Sequence, residues 1–234
     1  MIKNFFPNKI FSLKNNFFSN ITALTISIFL VGLIYALFIS PPDYVQGDSV
    51  RIMYVHVPSS LISLGCFAFI GIASILNLIF KIKFISLMAK SLAPVGFIFT
   101  FISIITGSLW GKPTWGVWWA WDARLTSMLI LMFFYIAYML SWKLIKNYKR
   151  ANTTSSVIGI LGSFNLPIIK YSVDWWNTLH QPSSITLTSA PKIHFSMLVP
   201  LIIMIVGMII YSLIIFLMKY KSELIKTKLE KKNR

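Results

Sequence analysis

The sequence predicts an all-α integral membrane protein with six transmembrane helices. Three observations lead there. Of 234 residues, 56% are hydrophobic and 12% charged, far too apolar for an ordinary soluble domain. Long apolar stretches recur, and a hydrocarbon core of about 30 Å needs about 20 such residues as helix. Basic residues fall between these stretches with a one-sided bias, as expected of loops that stay in the cytoplasm.

The first span, residues 21–40, is long enough to cross the bilayer, which makes it a retained helix rather than a cleaved signal peptide. Spans two (57–80), three (91–109) and four (125–142) contain no charged residue. The fifth, 155–171, is the weakest, being short and interrupted by Asn165 and Pro167. The sixth, 195–218, is again free of charge.

Charge decides the fifth. Seventeen of the 22 Lys and Arg residues lie in the N-terminal segment, the loop between spans two and three, the loop after span four and the tail. The positive-inside rule therefore puts both termini in the cytoplasm, and two cytoplasmic termini need an even number of spans. Without the fifth span the basic tail would face outward. Residues 1–234 read as one transmembrane domain with no repeat of domain size. The net charge of +16 is an orientation signal that meets membrane lipid. Split among juxtamembrane loops, it does not make a nucleic-acid surface. Cys66 is the single cysteine, which excludes an internal disulfide, a thiolate metal cluster and a C-x-x-C-H haem attachment.

The chemistry gathers in the three outer loops, about 41–56, 110–124 and 172–192. They hold or border all three histidines, and seven of the eight tryptophans lie on this side. A belt of interfacial tryptophan would occupy both faces of the membrane. The stretch WGKPTWGVWWAWDARLTS, residues 110–127, carries Trp110, Trp115, Trp118, Trp119 and Trp121. Pro113 is expected to stop the third helix and Thr114 to cap a short interfacial helix from Trp115. At about 100° per residue, Trp115, Trp118, Trp119 and Asp122 would share one face, with Arg124 near the opposite one. Such an indole platform suits a large, flat, conjugated ligand.

His56 in RIMYVHVPSS and His180 in WWNTLHQPSS share an H-x-P-S-S frame. A proline two residues on restricts the local backbone, and neutral imidazoles are axial ligands of haem iron. Two opposed imidazoles would clamp a porphyrin resting on the indoles. His194, in APKIHFSML, lacks the frame and is read as the start of span six.

RIMYVHVP, WGKPTWGVWWAWDARLTS and WWNTLHQP, set in six spans, closely resemble the haem exporter protein C (CcmC) family of cytochrome c biogenesis, a tryptophan-rich, WWD-type group. The likeness runs from span one to span six. It implies a protein that binds haem b on the periplasmic or intermembrane-space face and loads it onto the haem chaperone CcmE. It also implies work beside the small protein CcmD and the ABC-type pair CcmA and CcmB, in a bacterial or mitochondrial inner membrane. By that likeness His56 and His180 are the axial ligands, and Trp110, Trp115, Trp118, Trp119, Trp121, Asp122 and Arg124 lie in the haem and chaperone platform.

Other classes fit less well. GSLWGKP has its glycines one position too close for a phosphate-binding loop and lacks the Ser or Thr after the lysine, so energy would come from a partner. No charge sits in the middle of a span, which disfavours an ion-driven transporter. Asn77 and Asn165 are expected as helix–helix contacts. The alternative is a b-type membrane cytochrome carrying electrons, although ligands in loops on one side suit release better than conduction. A haem ligase would need a larger outer domain than three short loops. The reading is of a haem transfer protein, not an enzyme.

Overall fold

The computed structural model describes residues 15–176, 178–181, 190 and 193–232. Among them, α1 (Asn15–Ile34) widens into a π turn (Tyr35–Ile39), and a 3-10 turn (Asp48–Ile52) leads into α2 (Met53–Phe80). The rest are α3 (Lys83–Trp115), α4 (Ala123–Leu144), α5 (Tyr148–Ser163), α6 (Asn165–Trp175) and α7 (Phe195–Lys232). These make the six expected spans, since α5 and α6 together form the fifth, Tyr148–Trp175. Pro167 falls in the first turn of α6, where backbone N–H groups lack helical partners anyway. The short, interrupted fifth stretch is thus a full-length crossing with a break at Phe164.

Small and polar residues let the helices approach. A Cβ at Gly71 would lie 1.9 Å from Ser163 Oγ, and one at Gly159 would lie 2.5 Å from Ser74 Oγ, so α2 and α5 meet almost backbone to backbone. Asn77 Nδ2 donates to Asn152 Oδ1 at 3.0 Å and Ser156 Oγ at 2.9 Å. Asn165 Nδ2 donates to the Ser127 carbonyl at 2.8 Å. Both asparagines are the helix–helix contacts the sequence predicts, each bond contributing on average about 0.6 kcal/mol in a membrane. In α4 the fully buried Tyr135 donates to the Ser63 carbonyl at 2.6 Å. It fits because Gly96 leaves room for its ring.

Successive spans run antiparallel. Ser63 pairs with Thr100 and Ser60 with Ser103 across α2 and α3, and Lys90 of α3 meets Glu223 of α7. The ends of α3 and α6 and the starts of α2, α4 and α7 therefore gather at one tryptophan-rich end. The opposite, basic end carries Lys83, Lys90 and Lys143. α1 and its π turn pack on α7 and leave Leu24, Leu30, Leu37 and Phe38 exposed, as a lipid-facing segment should.

One expectation is corrected. No separate interfacial helix starts at Trp115: α3 continues through Pro113 to Trp115, and residues 116–122 are bent or extended. Proline removes a single N–H, and here it does so in the last two turns, where Thr114 Oγ1 donates to the Trp110 carbonyl at 2.6 Å. The stop comes from Gly116, which takes a left-handed φ of 77° and donates to the Lys112 carbonyl at 3.1 Å. Glycine reaches that conformation without a Cβ clash. Trp115, Trp118, Trp119 and Asp122 consequently do not share a helical face.

Candidate functional site

The site begins with how His56 is aimed. The tight turn 43–47 is closed by Asp43, whose Oδ1 accepts from the backbone N–H of Val45 (2.9 Å) and Gln46 (2.8 Å), an Asx turn. Gly47, at φ 58° and ψ −140°, occupies a region open only to glycine. The turn presents Gln46, whose Oε1 accepts from Trp110 Nε1 at 2.8 Å. Trp110 meets the His56 ring edge-on at 5.8 Å and 79°, a favoured aromatic geometry.

His56 itself lies on α2, not in a loop, and its Nδ1 is 3.1 Å from Thr106 Oγ1 of α3. His180 lies in a bend beyond α6. The two histidines thus sit in different backbone conformations. Pro182, Ser183 and Ser184 of the second frame lie outside the described residues.

The structure does bring the two imidazoles together. Their ring centres are 6.4 Å apart at an interplanar angle of 44°. Trp115 packs against His180 at 5.3 Å. Two imidazoles sharing one metal need about 2 Å of metal–nitrogen bond and about 1 Å from nitrogen to ring centre on each side, about 6 Å in all. The observed spacing matches. Among the described residues no group of three or more His, Cys, Asp or Glu converges. Two imidazoles alone hold a bare ion poorly, so this donor set suits an iron that brings its own equatorial nitrogens.

His180 Nδ1 has no hydrogen-bond partner among the described residues. Burial, with help from the positive charges of Arg124 and a protonated His56, pushes its pKa down to about 3, so the ring is neutral at physiological pH. Arg124 is tied to the end of the fifth span, donating to the Ile169 and Lys170 carbonyls at 3.2 Å each. Asp122 turns out to be a helix cap. Its Oδ1 accepts from Leu125 N at 2.8 Å, the N-cap role preferred by Asp, while its buried Oδ2 has no partner among the described residues.

The indoles divide. Trp110 and Trp115 border the histidines. Trp119 and Trp121 pair with each other at 5.6 Å, and the Trp119 Nε1 is buried without a partner. Trp118 and Trp121 are 55% and 77% exposed, with Lys112 Nζ 6.0 Å over the Trp118 ring. His194 sits outside the group. Its Nδ1 accepts from Ser196 N at 3.3 Å at the start of α7. Sequence reasoning missed Gln46, Thr106 and Gly107. The Thr-Gly pair directly before SLWGKP was the available signal.

Fold and site together define a polytopic helical membrane protein that brings two imidazoles together among indoles at one end of its bundle. The family model described as CcmC, heme exporter protein C, matches residues 2–234, so the chain belongs to the heme exporter protein C family. It is similar to the heme exporter protein C of Haemophilus influenzae, 42% identical over 203 residues that cover 87% of this chain and 82% of that protein. The Bradyrhizobium diazoefficiens protein of the same name is 38% identical over 220 residues, covering 94% and 83%. A putative cytochrome c biosynthesis ccmC-like mitochondrial protein of Marchantia polymorpha is 40% identical over 184 residues, covering 79% and 78%. Bacterial and mitochondrial relatives fit an inner-membrane location for this multi-pass chain.

Proposed function

We propose that this protein holds haem b between His56 and His180 on the periplasmic or intermembrane-space face of the membrane and hands it to the haem chaperone CcmE. It is a transfer component of cytochrome c biogenesis, not an enzyme. The observation that carries the reading is the pair of imidazoles with ring centres 6.4 Å apart, His56 beside Trp110 and His180 beside Trp115. Membership of a haem exporter family supports haem as the cargo, and the one-sided distribution of Lys and Arg supports the outward placement of the tryptophan-rich end.

In this reading each residue has a separate task. His56 and His180 supply the axial nitrogens. Trp110 and Trp115 wall the ligand pair, and Trp118, Trp119 and Trp121 offer flat apolar surface to the porphyrin and the chaperone. Asp122 and Trp119 each keep a buried polar atom without a partner, which costs about 1–3 kcal/mol unless a visiting group satisfies it. Arg124 bridges α4 to the end of α6 and keeps the wall under His180 in place. CcmD and the CcmA–CcmB pair are the partners, and ATP hydrolysis belongs to them.

The test is the absorption spectrum of the purified protein with and without the chaperone. We expect a b-type, bis-nitrogen haem that moves to the chaperone. His56→Ala and His180→Ala should each abolish that spectrum, and an unchanged spectrum in either would refute the ligand assignment. A tail cysteine labelled by an impermeant reagent in intact cells would refute the orientation.

A further inference from the structure

We infer that Thr106 and Gly107 form a seat that holds His56 as its Nδ1–H tautomer, leaving Nε2 free to bind iron. The inference rests on the reading of His56 as an axial ligand and adds what fixes that ligand.

Proton accounting carries it. Thr106 Oγ1 owns one proton. The oxygen lies 2.7 Å from the Ile102 carbonyl and 3.2 Å from the Ser103 carbonyl, and carbonyls only accept. Turning the proton toward His56 would abandon the shorter of these bonds. Thr106 Oγ1 therefore faces His56 Nδ1, 3.1 Å away, as an acceptor. An Nδ1 that donates carries the one ring proton of neutral imidazole, so the lone pair is on Nε2.

Gly107 supplies the shape. A Cβ there would lie 3.0 Å from His56 Cε1 and 3.5 Å from Nδ1, so the imidazole rests on bare helix backbone. Glycine weakens a helix relative to alanine, and close passage of this ring is what the position gains. Among the described residues the Nδ1 of His180 has no such hydrogen-bond partner. Thr106 is a positioning residue. Histidine ligands to metals usually donate their second N–H, and removing that acceptor commonly costs about 10–100-fold in affinity.

The test uses the full-length protein in nanodiscs, with His56→Gly and free bases that enter the vacated space. Imidazole keeps an N–H for Thr106, whereas 1-methylimidazole binds iron but has none to donate. We expect imidazole to restore haem at about tenfold lower concentration than 1-methylimidazole. In His56→Gly with Thr106→Val that preference should vanish, and with Thr106→Ser it should persist. A preference that survives Thr106→Val comes from methyl crowding or from the Ser103 backbone carbonyl, which also faces His56, and overturns the inference. So does equal rescue by the two bases in the His56→Gly protein, although the ligand assignment then stands. If His56→Gly keeps its haem spectrum with no base added, the ligand assignment itself has failed. If neither base rescues a His56→Gly protein that has lost haem, the single Thr106→Val variant decides. A lowered haem affinity and a raised reduction potential, both reversed by Thr106→Ser, support the seat, and unchanged values overturn it.

Discussion

At the basic end of the bundle aromatic rings are met by permanent charge, whereas at the tryptophan-rich end Trp110 and Trp115 are met by imidazole. Lys90 Nζ lies 5.1 Å over the Trp142 ring and 2.6 Å from Glu223 Oε2, and Lys83 Nζ lies 4.8 Å over Tyr148. Trp142 and Tyr148 pack together at 5.6 Å. Cations and rings thus tie α3, α4, α5 and α7 into one knot. At the other end neither His56 nor His180 has a carboxylate within ion-pair distance among the described residues. A half-buried ion pair pins helices, whereas an imidazole without an acid stays neutral and keeps a lone pair to give. One arrangement suits structure and the other suits a ligand.

The comparison breaks most easily on haem occupancy. His180→Gly should lose most bound haem, at least tenfold, and regain it with added imidazole. Trp142→Phe, at the basic end, should leave occupancy unchanged. His194→Gly should also bind normally, since its ring caps α7. If His194→Gly is the variant that loses haem and recovers with imidazole, one axial ligand belongs at the start of α7.

Stability should respond in the opposite sense. Lys90→Ala leaves Glu223, whose side chain is 18% exposed, with Lys226 at 3.5 Å. Breaking a fully buried pair costs about 3–5 kcal/mol, and partial exposure reduces this to about 1–3 kcal/mol. Unfolding in detergent measures it, and haem bound per folded molecule should not change. Loss of haem affinity in the folded Lys90→Ala protein would mean that the two ends are coupled.

A smaller effect separates two roles of one residue. Asp122→Ala removes the cap of α4 and should cost about 1 kcal/mol, while Asp122→Asn keeps a capping oxygen. We expect both to insert normally and both to load little haem onto the chaperone, because each loses the buried carboxylate oxygen Oδ2, which has no partner among the described residues. Normal loading by Asp122→Asn would reduce Asp122 to a helix cap.

How far the sequence carried these arguments varies by residue. The six spans were legible because a bilayer demands long apolar helices and charge asymmetry records direction. Asn77 and Asn165 were legible because amides in an apolar span need partners. The path after Trp115 was not, since Pro113 looks like a stop while the left-handed turn at Gly116 does the stopping. The meeting of His56 and His180 is consistent with their shared motif but not caused by it, one ring being on a helix and the other in a bend. Gln46, Thr106 and Gly107 escaped because each matters through a neighbour 50 or more positions away, a spacing no local pattern encodes.

The smallest expected effect concerns pH and bears on the difference between the two ends. A haem ligand competes with protons. An exposed histidine of ordinary pKa, about 6.5, would lose roughly 30-fold in haem affinity between neutral pH and pH 5, as protons occupy the lone pair. His180 has its pKa pushed down to about 3. Its neutral form therefore persists, and competition at this ligand begins only as pH falls toward 3. Folding has its own pH dependence. Below about 6.5 the unfolded chain binds a proton on His180 that the native one refuses, so this group's contribution to stability falls as pH drops from 6.5 toward 3. Haem titrations at pH 7 and pH 5 on protein that is still folded should agree within about twofold, while the unfolding midpoint declines over the same interval. Arg124 contributes to the low pKa by its positive charge, so Arg124→Gln should let the His180 pKa rise. A roughly 30-fold loss at pH 5 in the unmodified protein would mean that His180 is an ordinary solvated imidazole, and the tryptophan-rich end would then have no special claim to neutrality.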